Sequence, residues 1–226
     1  MTDLAALACG NVLRAAINSG NRALVRQDGD RLSGVSPALA RRLADSIGAR
    51  LEPVVYPSAG KVFEDAESDR WDVAFLAIDA TRARRVSFTR PYHVIEATYA
   101  VRADSAFEMP EDVDRAGMRI LTSTGSAYDL FLSDNLAHAT LERWGTPSES
   151  YEAFSRGQGD AVAGVRASLD HFFDGDRTVR VLPGAITRVE QAMVLPGAAH
   201  PAIAALDRFV AAAIAEGFVA RELSDI

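Results

Sequence analysis

The chain has 226 residues, 48% of them hydrophobic, enough to bury a sizeable core in one large domain or two small ones. It carries 24 Lys and Arg against 31 Asp and Glu, a net charge of -7; Arg41-Arg42 and Arg84-Arg85 are isolated pairs that form no dense basic patch, which excludes a nucleic-acid surface. Cys9 is alone and so permits no internal disulfide, and His93, His138, His171 and His200 lie far apart without ligand spacing, so neither a metal nor a cofactor is expected.

The start, Met1-Thr2-Asp3-Leu4-Ala5-Ala6-Leu7, reads as a short helix. It shows no secretory leader, because Asp3 stands where a basic region belongs and no long apolar core follows. No apolar run approaches the ~18 residues of a membrane span. The expectation is a cytoplasmic protein, or a periplasmic one whose leader has been removed. Residues 12–17 predict a strand that ends at the polar turn Asn18-Ser19-Gly20-Asn21. Leu39, Ala40, Leu43 and Ile47 lie at helical spacing and predict a helix over 37–47, capped by Ser36 before Pro37 and ended by Gly48. A strand over 51–56, a short helix over 59–66 and a strand from Asp72 complete a βαβαβ unit, which implies parallel strands and right-handed crossovers.

The second half repeats the pattern. A strand over 118–121 leads through the turn at 122–126 into a helix reaching about 136. A short strand over 139–142, a helix over 148–156 and a strand over 160–164 follow. Residues 97–102 and 191–195 read as extended connectors, and 201–220 as a tail helix returning to the first half. No low-complexity linker separates the halves, so two strands are expected to join two α/β lobes. One lobe would comprise 1–98 with 196–226, the other 99–195.

The segment from Trp71 to Tyr92 carries the most chemistry. Its apolar run, 73–76, ends in a polar turn bearing Arg82, and the chain returns through Val86-Ser87-Phe88 to Pro91-Tyr92. This fits a strand tip that offers backbone amides and one guanidinium to a small anion, since the planar fork can hold both oxygens of a carboxylate. Gly125-Ser126 opens a helix, where unpaired amides attract an anion. The competing readings are a surface ion pair for Arg82 and a simple helix cap for Ser126. Asn18 and Asn21 close the first strand, where α/β sheets present ligand contacts, and both also suit a turn. Ala77 offers backbone contacts, while Asp79 either joins it or caps the Arg82 turn.

Several motifs in order resemble the extracellular solute-binding proteins of the amino-acid type, family three. That family follows a strand with T-x-E-R and then F-x-x-P-Y, and Thr81-Arg82 and Phe88-Thr89-Arg90-Pro91-Tyr92 hold the matching places. The opening strand around Leu13 and the first-helix motif from Leu32 to Ala40 fit as well. So do the turn Gly125-Ser126-Ala127, the segment Gly159-Asp160-Ala161-Val162-Ala163-Gly164, the return strand from Gln191 to Pro196, and Glu216-Gly217-Phe218-Val219. The resemblance implies a type II periplasmic binding protein-like fold: two α/β lobes, two crossover strands and a ligand cleft between them. It also implies an ABC transporter as partner and a carboxylate or amino-acid-like ligand.

One departure bears on the ligand. Amino-acid binders of the family usually place an aspartate for the ligand's ammonium just after the Gly159–Gly164 segment, and here Val165 and Arg166 follow it. The expectation is therefore a carboxylate or dicarboxylate without an amine, with Arg166 meeting a second acid. Glu96 would be a partial substitute for the missing aspartate, or else is solvated or paired with an arginine. The alternative function is a cytoplasmic lyase or dehydratase-like enzyme with Glu96 as general acid. No Ser/His/Asp set, phosphate loop or dinucleotide fingerprint supports it, and no other catalytic residue is assigned. A third reading is an interaction module with a degenerate cleft, which the missing aspartate favours and Arg82 opposes.

Overall fold

A computed structural model describes residues 4–224. After a single 3-10 turn at Leu4–Leu7 come β1 (Val12–Asn18), a hairpin of β2 (Arg26–Asp28) and β3 (Arg31–Ser33), α1 (Val35–Ser46), β4 (Arg50–Tyr56), α2 (Ala59–Glu64) and β5 (Val73–Ala77). The 17-residue β6 (Val86–Arg102) leads into the second half. There follow β7 (Arg119–Ser123), α3 (Ala127–Asn135), β8 (Thr140–Trp144), α4 (Pro147–Ser155), β9 (Ala161–Val165), α5 (Arg166–Phe172) and β10 (Val179–Val181). β11 (Thr187–Pro196) returns to the first half, where α6 (Ile203–Ala215) and α7 (Phe218–Ser224) close the chain.

The main sheet runs β4-β1-β5-β11-β6-β9-β7-β8, with β10 added on β6. β1 is parallel to β4 and β5, and β7 is parallel to β8 and β9. Two parallel βαβ units are thus welded by antiparallel strands. β6 pairs with β11 along 86–97 and with β9 along 97–101, so one strand serves both halves. β11 in turn pairs with β5. Each half keeps its own core. Leu13, Leu39, Phe75 and Leu206 pack together on one side, and Ile120, Tyr128, Leu132 and Ala163 on the other. The result is a two-lobed α/β fold. β5 reads as an unbroken apolar run because every one of its residues is buried, with elements packed on both faces.

Several boundaries differ from expectation, for local reasons. α1 begins two residues early, since Gly34 at φ 101 turns the chain into the helix. Ser36 therefore caps nothing; it lies inside α1, with its hydroxyl 3.2 Å from that of Tyr92. At the far end Gly48, at φ 67, forms a double-bonded helix terminus: its amide donates to Asp45 O and that of Ala49 to Ala44 O. The tail is two helices, broken at Gly217 with φ 69. The β2–β3 hairpin, α5 and β10 were not anticipated, and the connector strand begins at Val86 rather than at 97. Of the expected N-terminal helix, Met1, Thr2 and Asp3 lie outside the described residues.

α6 is pinned to the first lobe by Asp207, whose Oδ1 accepts from the Arg90 amide at 2.6 Å and Nε at 3.1 Å, and whose Oδ2 accepts from Nη2 at 2.8 Å. Hydrogen bonding to Arg90 holds the Asp207 carboxyl below its usual range. A depressed folded-state pKa stabilises the fold above the unfolded value, and that stability fades as pH falls through the folded one. Asp207→Asn should therefore cost about 1 kcal/mol at neutral pH, Arg90 being half exposed. Urea melts should show this difference shrinking below about pH 4.

Candidate ligand-binding cleft

The C-terminal ends of four parallel strands meet between the lobes: Asn18 of β1, Ala77 of β5, Ser123 of β7 and Val165 of β9. This is where α/β sheets present ligand contacts, because the strand ends leave unpaired backbone groups and the following loops are free to vary. The space they enclose is about 40 Å³. The lobes touch at its rims. Ser168 Oγ donates to Gly20 O and accepts from the Arg22 amide, both at 3.2 Å.

Arg82 is the dominant group. Its side chain is 1% exposed, which rules out a surface ion pair. Nη1 donates to Ala77 O at 3.0 Å and Nη2 to Gly125 O, across the cleft, at 2.8 Å. Nε has no partner. Burial lowers its pKa to about 10, against the pull of Asp79, so the guanidinium stays protonated at neutral pH. Asp79 itself does not line the cleft. Its Oδ1 accepts from the amides of Thr81 and Arg82 at 2.8 and 3.0 Å, so it caps the turn that aims the arginine.

Ser126 is both a cap and a lining residue: its hydroxyl accepts from the Asp129 amide at 3.1 Å. Gly125 plays a different part from the one expected. Its amide donates to Asp129 Oδ2 at 2.9 Å, so it is already taken, and it is the Gly125 carbonyl that faces Arg82. Asp129 Oδ1 pairs with Arg143 at 3.0 Å. Asn18 and Asn21 both line the cleft. The side-chain oxygen of Asn18 accepts from Gly20, as a turn residue's would, whereas that of buried Asn21 has no partner.

Glu96 and Arg166 are not among the cleft-lining residues, and they hold each other. Arg166 Nε lies 3.4 Å from Glu96 Oε2, and Oε1 accepts from Arg188 at 2.9 and 3.0 Å. The Arg188 and Arg166 guanidiniums keep the Glu96 carboxyl below its usual range. Arg166 also donates to the carbonyls of Leu182 and Gly184, fixing the loop before β11. Sequence reasoning missed Ser123, Tyr128, Tyr151 and Gln191, which do line the cleft. Tyr128 and Tyr151 sit on α3 and α4, where no motif singles them out. Gln191 lies at a register shift between β11 and β6, a placement that no sequence pattern announces.

Fold and cleft together define a two-lobed binding protein for a small solute. A family model of the bacterial extracellular solute-binding proteins, family 3, matches residues 13–221, and the chain belongs to that family. A search of curated proteins gave no match. Among solved structures, the cysteine-binding protein of Campylobacter jejuni superposes with a TM-score of 0.82 at 18% identity, covering 95% of this chain and 88% of that one. A mutant of ArgBP from T. maritima gives 0.81 at 17% identity over 95% and 94%. An ancestral amino acid-binding protein, AncCDT-1, described as a precursor of cyclohexadienyl dehydratase, gives 0.78 at 16% over 95% of each. At these identities the likeness establishes the fold. No helix among the described residues is long and apolar enough to cross a membrane.

Gly60, in the first turn of α2, sets how closely the rims approach. A Cβ built there would lie 2.4 Å from the Thr124 carbonyl of the opposite lobe, a contact that backbone cannot relieve by a side-chain shift. Gly60→Ala should hold the rims apart. Small-angle scattering should report a larger radius of gyration at nearly unchanged Tm, and affinity for any cleft ligand should fall at least about tenfold, or ~1.4 kcal/mol.

Proposed function

We propose that the protein binds a small monocarboxylate lacking an ammonium group, in the cleft between its lobes, as the solute-binding partner of an ABC transporter. One observation carries this reading: Arg82 is the only charged side chain among the described residues lining the cleft, and it is buried with no carboxylate against it. A buried cation without a counter-charge costs several kcal/mol, which an anionic ligand would offset. Val165, in the family's aspartate place, lines the same cleft and cannot pair with an amine. An α-amino acid would bury its ammonium with no acid to meet it. The solved relatives include cysteine- and arginine-binding proteins, so this ligand class would set the chain apart within its family.

In this reading Arg82 takes the carboxylate, Asn18, Asn21 and Ser126 supply polar contacts, and Ala77 and Gly125 orient the guanidinium. A division into 1–98 with 196–226 and 99–195 fits two separate cores near residue 98, but Met193 and Leu195 pack in the first core, so we place the second boundary ahead of them, within β11. Family membership supports a place outside the cytoplasmic membrane. A second ligand acid meeting Arg166 is not favoured, because that guanidinium is engaged with Glu96 and two carbonyls. Nor does Glu96 suit the general acid of a dehydratase: it lies off the cleft, and its two arginines favour the ionised form.

Native mass spectrometry of the purified protein should detect a retained small acid, which then serves as the ligand for calorimetry. Arg82→Ala should weaken its binding by roughly 2–5 kcal/mol, as expected on losing a buried charge-assisted pair. Unchanged affinity would overturn the reading.

A further inference from the structure

The carboxylate subsite accounts for Arg82 and leaves a second set of polar atoms in the same cleft. The hydroxyls of Tyr128 and Tyr151, on α3 and α4, are buried and lie within reach of each other, and that of Tyr128 also within reach of Ser123 and Ser126, yet neither makes a well-aligned hydrogen bond. Ser123 Oγ, also buried and lining the cleft, makes none either. Buried hydroxyls are normally satisfied by the protein around them, so three that meet only one another around a common space call for an explanation. Tyr151 is also specifically accommodated. A Cβ on Gly164 would sit 2.2 Å from its hydroxyl, so the absence of a side chain there makes room for it. Its ring packs edge-on against Phe172, with centroids 5.3 Å apart, which fixes where the hydroxyl points. Burial raises the Tyr128 hydroxyl to about 12, although the hydroxyls of Ser126, Ser123 and Tyr151 pull it back, so it stays neutral and able to donate.

Resting on the carboxylate reading, we propose that Tyr128 and Tyr151 form a specificity-determining subsite that reads an uncharged oxygen, a hydroxyl or carbonyl, on the ligand. The preferred solute is then a hydroxy or oxo monocarboxylate with an apolar body, since Phe75, Leu76, Ile95 and Val189 supply apolar wall beside the polar groups. A hydroxyl accepts as well as donates, so the pair does not by itself reject an amine. The lack of any carboxylate among the described lining residues does that. A hydroxyl or carbonyl can engage both tyrosines at once, whereas a plain acid leaves them only each other, and selectivity built on poorly satisfied buried groups is steep.

The test is calorimetry on three matched sets: propionate, lactate, pyruvate and alanine; the isocaproate, hydroxyisocaproate, oxoisocaproate and leucine set; and the phenylpropionate set with phenylalanine, with succinate and malate as dicarboxylate controls that should bind more weakly. Within at least one set the wild type should prefer the hydroxy or oxo acid over the unsubstituted acid by about tenfold or more, and over the amino acid by more. Tyr151→Phe and Tyr128→Phe should each reduce the first preference towards unity while leaving affinity for the unsubstituted acid within about twofold. Both variants keep the ring and its packing, so their Tm should change little. If acids bind and the preference survives both substitutions, the tyrosine subsite is refuted and the carboxylate reading stands. If the amino acid binds best, both fail. If no acid in any set binds, the carboxylate reading falls, and the subsite with it.

Discussion

A guanidinium taken out of water without a carboxylate beside it is the constraint around which this cleft is organised. Arg82 is held by two backbone carbonyls, Ala77 O at the tip of β5 and Gly125 O across the cleft. Carbonyl dipoles offset part of the desolvation cost but cannot neutralise the charge. Each neighbouring feature serves that placement. The β5 tip supplies the first carbonyl, and Asp79 locks the turn that swings the arginine inward. Asp129 takes the Gly125 amide, leaving the glycine carbonyl to meet Arg82. A positive group poised in a low-dielectric gap is a strong and selective attractor for a single negative charge.

Binding across a cleft requires two bodies that stay connected, and the sheet meets this with β6 and β11 instead of a flexible loop. Both strands pair within the first lobe, and β6 goes on to pair with β9 and β10 in the second. The β6–β11 ladder slips at Gln191, Ala192 and Val194. Register slips bend a strand and re-aim its side chains, and here one of the displaced residues, Gln191, lines the cleft. Close approach at the rims depends on backbone meeting backbone, as at Gly60 against Thr124.

Charge around the cleft is arranged so that little of it reaches the interior. Glu96 is shared between Arg166 and Arg188, and Asp129 between Arg143 and the Gly125 amide. With these acids committed elsewhere, Arg82 faces hydroxyls, amides and apolar walls. The Glu96 pairs are partly solvated and worth little, whereas the buried, unpaired Arg82 guanidinium dominates its surroundings.

The sequence alone determined the order of elements, the doubling of the βαβ unit, the family resemblance and the importance of Arg82. Those signals are local: periodicity, turn residues and short motifs survive without knowledge of the partner strand. Val165 in the aspartate's place was legible for the same reason. Tertiary structure decided which polar groups meet. Glu96 and Arg166 were expected at the ligand, and pairing with each other and with Arg188 drew them away. Tyr128 and Tyr151 carry no motif that sets them apart, and only the packing of α3 and α4 against the strand ends brings them to the cleft. Helical spacing records which residues share a face, but what that face meets depends on elements far away in sequence, and no local pattern encodes it.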